Sequence, residues 1–192
     1  MSGEDLIVNK ICKCLQDLPG EIAALRVANP ERRIGDGVWT KMELSRFYDL
    51  AKREGFSACP TFGEEWRDGE WLYDMVWYRD VKGFKEDQNL GISRALENVV
   101  LVLESEWSMS PWQVQYDFEK LLVAKALFKV LVVNDIGELV AKRMVESGLE
   151  NYKGDIANER YVLAMYSGKT DSFMFWCTKV GQKRLVRWPF EE

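Results

Sequence analysis

Two carboxylates stand at the end of the most apolar segment of the chain. Five consecutive apolar residues, 99–103, run directly into Glu104-Ser105-Glu106. Such a run predicts a strand over 98–107 that is covered on both faces, because neither face has to meet water. The two-residue period of a strand places Glu104 and Glu106 on the same face, where their charges repel one another. They require a cation, a basic partner or exposure to water, and a metal ion is one of these answers.

The chain contains no histidine. This excludes Ser-His and Cys-His nucleophilic catalysis, histidine general bases and the commonest transition-metal ligand. Any catalysis by this chain would therefore depend on carboxylates, lysines or a bound hard cation. The net charge of −5 and the pI near 5.1 argue against a broadly basic, nucleic-acid-coating surface, and they leave a local basic groove open.

Composition predicts a globular protein with a sizeable core, because 47% of the 192 residues are hydrophobic. We expect a single domain over 1–192. No stretch approaches the roughly 20 apolar residues that span a bilayer, and the first five residues are acidic where a secretory signal would be basic. We therefore expect a cytoplasmic protein with no membrane partner. The cysteines are few and irregularly spaced, which favours reduced core thiols over a zinc site or a disulfide framework.

Asp74 lies in a segment with the composition of a strand. Residues 71–80 are rich in aromatic and β-branched side chains, and alternation assigns them to two faces. Asp74 interrupts an otherwise apolar face. A solvated strand edge would explain a lone aspartate there.

A helix and a second buried strand should follow the first buried strand. Ser110-Pro111-Trp112-Gln113 combines an N-cap serine with proline at the first helical position, so we expect a helix from here to about Ala126. At about 100° per residue, Lys125 falls inside the apolar stripe of this helix, and Lys120 points largely away from it. The apolar run 127–134 then predicts a strand that returns parallel to the first, as in a β-α-β crossover.

The other elements complete an α/β (α+β) fold with a mixed β-sheet flanked by helices. Apolar spacing predicts helices over 5–18 and 21–28. Two capping boxes, at 40–43 and 135–138, predict the starts of two more helices, the first ending near Gly55. The tail should supply three strands, over 160–166, 172–180 and 183–188.

This order of elements resembles the PD-(D/E)XK nuclease superfamily, the restriction-endonuclease-like fold. The shared features are a strand aspartate, a buried strand about thirty residues later that ends in an acidic-x-acidic triplet, a helix, and a parallel strand. The resemblance covers about 40–134. It implies a nuclease-like core over 39–135, preceded by an N-terminal helical appendage over 1–38 and followed by an extra helix and strands over 136–192.

Carried over to this chain, the resemblance implies that Asp74 and Glu104 hold Mg²⁺ or Mn²⁺. Glu106 stands where many members have a catalytic lysine. Members that lack this lysine have an acidic residue at that position or carry the lysine on the next helix. In this chain, Lys120 and Lys125 are the candidates for such a lysine. Family habit favours Lys120, whereas the helical wheel favours Lys125. 

The position of Glu43 corresponds to that of an acidic residue that some members of the superfamily contribute to the site from the first helix. Its position in the capping box at 40–43 already accounts for it, so we do not expect it in the site.

The implied activity is metal-dependent hydrolysis of phosphodiester bonds, with DNA expected before RNA as the substrate and a homodimer as a possible assembly. The best candidate phosphate contacts are basic residues of the tail, which are otherwise a solvated surface: Lys179, Lys183, Arg184 and Arg187.

The alternative is a non-catalytic, nuclease-like protein-interaction module. The acidic net charge and the many aromatic residues favour it. In that case Glu104 and Glu106 only mark where a strand leaves the core, with Lys125 and Asp117 as salt-bridge partners.

Overall fold

The structure, a computed structural model, describes residues 3–31, 34–59, 72–85, 95–154 and 156–189. Within these ranges the helices are α1 (Gly3–Gln16), α2 (Leu18–Ala28), α3 (Asp36–Arg53), α4 (Pro111–Val123) and α5 (Glu138–Asn151). The strands are β1 (Ser57–Cys59), β2 (Met75–Asp80), β3 (Leu96–Glu106), β4 (Phe128–Val133), β5 (Arg160–Ser167), β6 (Ser172–Thr178) and β7 (Leu185–Trp188). The predicted apolar strands and the three strands of the tail are confirmed to within a few residues.

The strands form one mixed sheet whose spatial order follows the chain from β1 to β7. Strand β2 pairs antiparallel with β3, whereas β3, β4 and β5 are parallel to one another. Helix α4 makes the crossover between β3 and β4, and α5 makes the next one. The predicted β-α-β unit and the predicted fold class, a mixed sheet flanked by helices, are confirmed.

Each face of the sheet carries its own hydrophobic core. Helices α1, α2 and α3 cover one face, where Leu101 and Leu103 of β3 join Phe47. Helices α4 and α5 cover the other, where Val102 meets Phe118. Residues 101–103 of β3 therefore alternate between the two cores, as the two-residue period of a strand requires.

Helix α1 packs into the first of these cores through Val8, Ile11 and Leu15, which are fully buried. The helices expected as an N-terminal appendage thus cover part of the sheet. The proposed division at residues 38 and 135 stays a prediction. None of the four cysteines forms a disulfide bond; Cys12, Cys59 and Cys177 are buried and Cys14 is half-buried. No helix in the described residues is both long enough and apolar enough to cross a membrane.

Strand β2 begins at Met75, later than predicted, after a bend at 72–74. Asp74 precedes the strand and is not part of its ladder. Within β2 the predicted alternation holds, because Met75 and Trp77 lie in the α1–α3 core while Val76 lies in the other. Trp71, the predicted first residue of this strand, lies outside the described residues.

The capping-box prediction at 40–43 was wrong. Helix α3 begins at Asp36 after an N-cap at Gly35, so Thr40 and Glu43 lie inside the helix. Thr40 Oγ1 donates to the carbonyl of Asp36, 3.2 Å away, as a helix-interior threonine does. The box at 135–138 predicts the start of α5 correctly, but its N-cap is Gly137 and not Asp135.

Helix α4 has the predicted N-cap at Ser110 with proline next to it, but it ends at Val123. Ala124 is extended, with φ −65° and ψ 144°. Residues 124–126 then alternate like a strand, so that Ala124 and Ala126 are buried while Lys125 is exposed. The helical-wheel assignment of Lys125 to the apolar stripe was therefore wrong, because this residue lies beyond the helix.

Helices α4 and α5 approach each other at Gly148. A Cβ atom on Gly148 would lie 2.4 Å from Cε1 of Phe118, which is itself buried. We expect Gly148→Ala to lower the free energy of unfolding by about 1 to 3 kcal/mol, since the ring would have to move within a packed core. Urea denaturation followed by circular dichroism measures this change.

The matched control is Gly37→Ala in α3, where an added Cβ would meet no atom within 4 Å. The same exchange there should be neutral or stabilising by up to about 1 kcal/mol, because alanine favours the helix. Equal effects at the two positions would contradict the close approach of α4 and α5.

Candidate active site

Four of the predicted site residues lie at the carboxyl end of β3: Asp74, Glu104, Glu106 and Lys120. Glu104 stands beside Leu131 of the parallel strand β4, and Leu103 pairs with Met75 at the start of β2. Asp74 immediately precedes β2 and therefore lies at the same end of β3. Its Oδ2 accepts a hydrogen bond of 2.8 Å from the backbone N–H of Ser105.

Lys120 is the lysine that reaches the triplet. Its Nζ lies 2.7 Å from Oε2 of Glu104 and 2.9 Å from Oδ1 of Asp117, one turn earlier on α4. Glu104 is only 1% exposed, so this ion pair is largely removed from water. Of the two lysines that the sequence left open, the structure brings Lys120 to Glu104 and leaves Lys125 exposed beyond the helix.

Glu43 is a third acid at this end of β3, and the sequence interpretation had set it aside. It is fully buried on α3, and its Oε2 accepts a hydrogen bond of 2.8 Å from Oγ of Ser105. The signal that could have revealed it is its spacing, because it lies four residues from both Trp39 and Phe47 in the buried stripe of the helix. A carboxylate in such a stripe requires a polar partner.

Ser105 joins two of the acids. Its backbone N–H bonds to Asp74 while its hydroxyl bonds to Glu43, so a single residue of β3 holds carboxylates from two other segments. Since Ser105 and Glu104 point to opposite faces of the sheet, the site draws on both cores.

Burial dominates the electrostatics of the two glutamates. It raises the pKa of Glu43 to about 8, against the hydrogen bond from Ser105 and with a further contribution from the charge of Asp74. Burial likewise raises the pKa of Glu104, although its hydrogen bond with Lys120 opposes this shift. Burial alone would lower the pKa of Lys120, but its bonds to Glu104 and Asp117 outweigh this and raise it.

Each buried glutamate keeps one oxygen open. Within the described part of the chain, Oε1 of Glu43 and Oε1 of Glu104 are buried and have no hydrogen-bond partner. Buried carboxylate oxygens are normally satisfied. A proton, a water molecule or a cation would satisfy these two.

The donor set suits a hard cation without forming a complete protein cage. Among the described residues, no group of three or more Asp, Glu or Cys side chains is arranged to hold a metal ion. Mg²⁺ is commonly held by one or two carboxylates and keeps several waters. Asp74 and the open oxygen of Glu104 are compatible with that mode of binding.

Glu106 has a different local role from Glu104. Its Oε1 accepts a hydrogen bond of 2.6 Å from the backbone N–H of Ser108, which stabilises the turn between β3 and α4. The alternative hypothesis was wrong about the salt-bridge partners, because Lys120, and not Lys125 or Asp117, pairs with Glu104. Asp117 pairs with the same lysine.

The basic residues of the tail lie away from this end of β3. Arg187 on β7 covers the ring of Trp176, with 4.8 Å from its Cζ to the ring centroid. Lys183 approaches the carbonyls of Glu150 and Tyr152 at 3.5 Å. Strand β6, which carries Trp176, is three strands from β3, or about 14 Å at the usual strand spacing. Lys179 and Arg184 are exposed on the same part of the chain.

No protein-family model matches this chain, and a search among curated proteins finds no similar sequence. The case for the site therefore depends on its geometry.

The raised pKa of Glu43 makes stability depend on pH. The ordinary pKa of this carboxyl group is near 4.5, and its pKa in the folded protein is about 8. The contribution of Glu43 to the free energy of unfolding is therefore fully favourable below the ordinary pKa and is lost as the pH rises through about 8. We expect the free energy of unfolding of the wild type to fall between pH 5 and 8, and Glu43→Gln to flatten that fall. The difference in slope has an upper limit of about 1.4 kcal/mol per pH unit.

Urea denaturation at half-unit steps of pH measures both slopes. Glu119→Gln, an exposed change on α4, is the matched control and should follow the wild-type curve. Parallel curves for the wild type and Glu43→Gln would contradict a buried, protonated Glu43.

Proposed function

We propose that this protein is a metal-dependent nuclease of the PD-(D/E)XK type, which hydrolyses phosphodiester bonds in nucleic acid. The observation that carries the proposal is the contact between Lys120 and Glu104 at the end of β3, beside Asp74. Two carboxylates and a lysine supplied by the following helix are the set that the sequence resemblance implies for a member with a displaced lysine.

The order of elements supports the same proposal. Helix α3 precedes strands β1, β2 and β3, which are antiparallel neighbours, and α4 then leads to β4, parallel to β3. Glu43 supports it as well, because it comes from the helix that adds an acid in some members of the superfamily.

Asp74, Glu104 and Lys120 would have different roles in this reaction. Asp74 and Glu104 would hold Mg²⁺ or Mn²⁺, an ion that neutralises charge developing on a phosphate and lowers the pKa of a bound water. Lys120 is protonated near neutral pH, since its partners raise its pKa further above the ordinary value of a lysine. It therefore supplies a positive charge and hydrogen-bond donors and does not act as a base.

One observation favours the alternative, a protein-interaction module that keeps the fold without catalysis. Glu104 is almost completely buried and already neutralised by Lys120, as expected for a structural ion pair at the end of a strand. The two functions differ in whether a metal ion binds at this pair.

Cleavage assays compare the two lysines directly. With labelled single-stranded and duplex DNA, and RNA, in Mg²⁺ or Mn²⁺, we expect Lys120→Ala to lower the cleavage rate at least about 100-fold, since it removes the charge beside Glu104. Lys125→Ala on the same chain segment is the matched control and should stay within about twofold of the wild type.

Calorimetric titration with Mn²⁺ gives a measurement that does not depend on activity. The wild type should bind the ion, and Asp74→Asn with Glu104→Gln should lose that binding while keeping the wild-type circular dichroism spectrum. If the wild type neither binds the ion nor cuts any of the three substrates, the nuclease proposal fails and the interaction module remains.

A further inference from the structure

The outer side of α4 carries a pair of exposed aromatic rings. Trp112 is 71% exposed and Tyr116 is 57% exposed. Their ring centroids are 6.0 Å apart with an interplanar angle of 18°, so the two rings are stacked on each other. Side chains of this size usually contribute to a core, and these two leave most of their surface in water.

The pair is continuous with the candidate active site. Lys120 follows Tyr116 by one helical turn, and its Nζ is 5.8 Å from the centroid of the Tyr116 ring. The same Nζ lies 2.7 Å from Glu104. At about 100° per residue, Tyr116 is about 40° and Lys120 about 80° around the helix from Trp112, so the rings run along the rim of the site.

The charges around the rings decide what can cover them. Asp117 and Glu119 lie on the same helix and repel a phosphate backbone that would lie directly on it. The flat face of a nucleobase carries no charge and stacks well on an aromatic ring. In a duplex the base faces are already stacked on one another, so exposed rings on a helix reach only unpaired bases.

We propose that Trp112 and Tyr116 form a stacking platform for an unpaired base, and that the substrate of the candidate site is nucleic acid with a single-stranded segment. The inference rests on the proposed nuclease function and adds the class of substrate. The platform would hold an unpaired base beside the candidate site.

Binding of labelled oligonucleotides in EDTA tests the platform without cleavage. A fluorescent 15-residue oligothymidine strand and a duplex of equal length serve as probes in fluorescence anisotropy. We expect the wild type to bind the single strand more tightly than the duplex. Trp112→Ala should weaken single-strand binding about 5- to 100-fold and change duplex binding less than twofold.

Two further variants show whether stacking is responsible. Trp112→Phe keeps an aromatic face and should retain most of the binding. Val123→Ala removes an exposed apolar side chain from the same helix and should bind like the wild type. Circular dichroism of each variant monitors folding, which is expected to be unchanged because Trp112 lies on the surface.

The proposal is overturned if Trp112→Ala binds the single strand as well as the wild type does, or if the wild type binds neither probe. It is also overturned if Trp112→Ala leaves strand binding unchanged and instead dissociates a dimer in sedimentation velocity, because the rings would then contact a second copy of the chain. Strand binding that depends on Trp112, together with an absence of metal-dependent cleavage, would support the platform and refute the nuclease activity alone.

Discussion

The burial of Glu104 is the constraint on which the site depends. A carboxylate removed from water at the end of an apolar strand is unstable without a counter-charge, and Lys120 supplies one at 2.7 Å. This requirement fixes α4 relative to β3, since the lysine must project from the helix toward the strand. Asp117 then holds the lysine from the same side, and the exposed aromatic pair takes its position from the same helix.

A second buried charge on the same sheet shows what a fully satisfied group looks like. The ammonium of Lys129 donates to Glu159 at 2.6 Å, to the hydroxyl of Tyr161 at 3.0 Å and to the carbonyl of Leu122 at 3.4 Å. All three donors of that lysine are used, as expected for a structural group. Glu43 and Glu104, by contrast, each keep one buried oxygen that has no hydrogen-bond partner among the described residues.

The sequence predicted the sheet well because apolar runs and their spacing report burial directly. The run at 99–103 and the crossover through α4 followed from such patterns. The resemblance to a nuclease core, and not apolar spacing, pointed to Asp74 as a partner of Glu104. Prediction from the sequence failed where a short motif is compatible with two different structures. Residues 40–43 have the sequence of a capping box, but the helix begins earlier, at Asp36. The side chain of Glu43 is therefore not used to cap the helix and lies at the candidate site. The placement of Lys125 in the apolar stripe failed because nothing in the sequence marks the end of α4 at Val123. Two further residues of helix would have turned that side chain inward.

The alternation of β3 has a consequence for how this chain can change. Glu104 and Ser105 face opposite layers, so inserting or deleting one residue in the strand would exchange their directions and separate all three acids at once. Substitutions along the strand alter one contact at a time. The length of this segment is therefore under a stricter constraint than its composition. In addition, any ligand held here would link the two hydrophobic layers through a single strand and stabilise them as one cooperative unit.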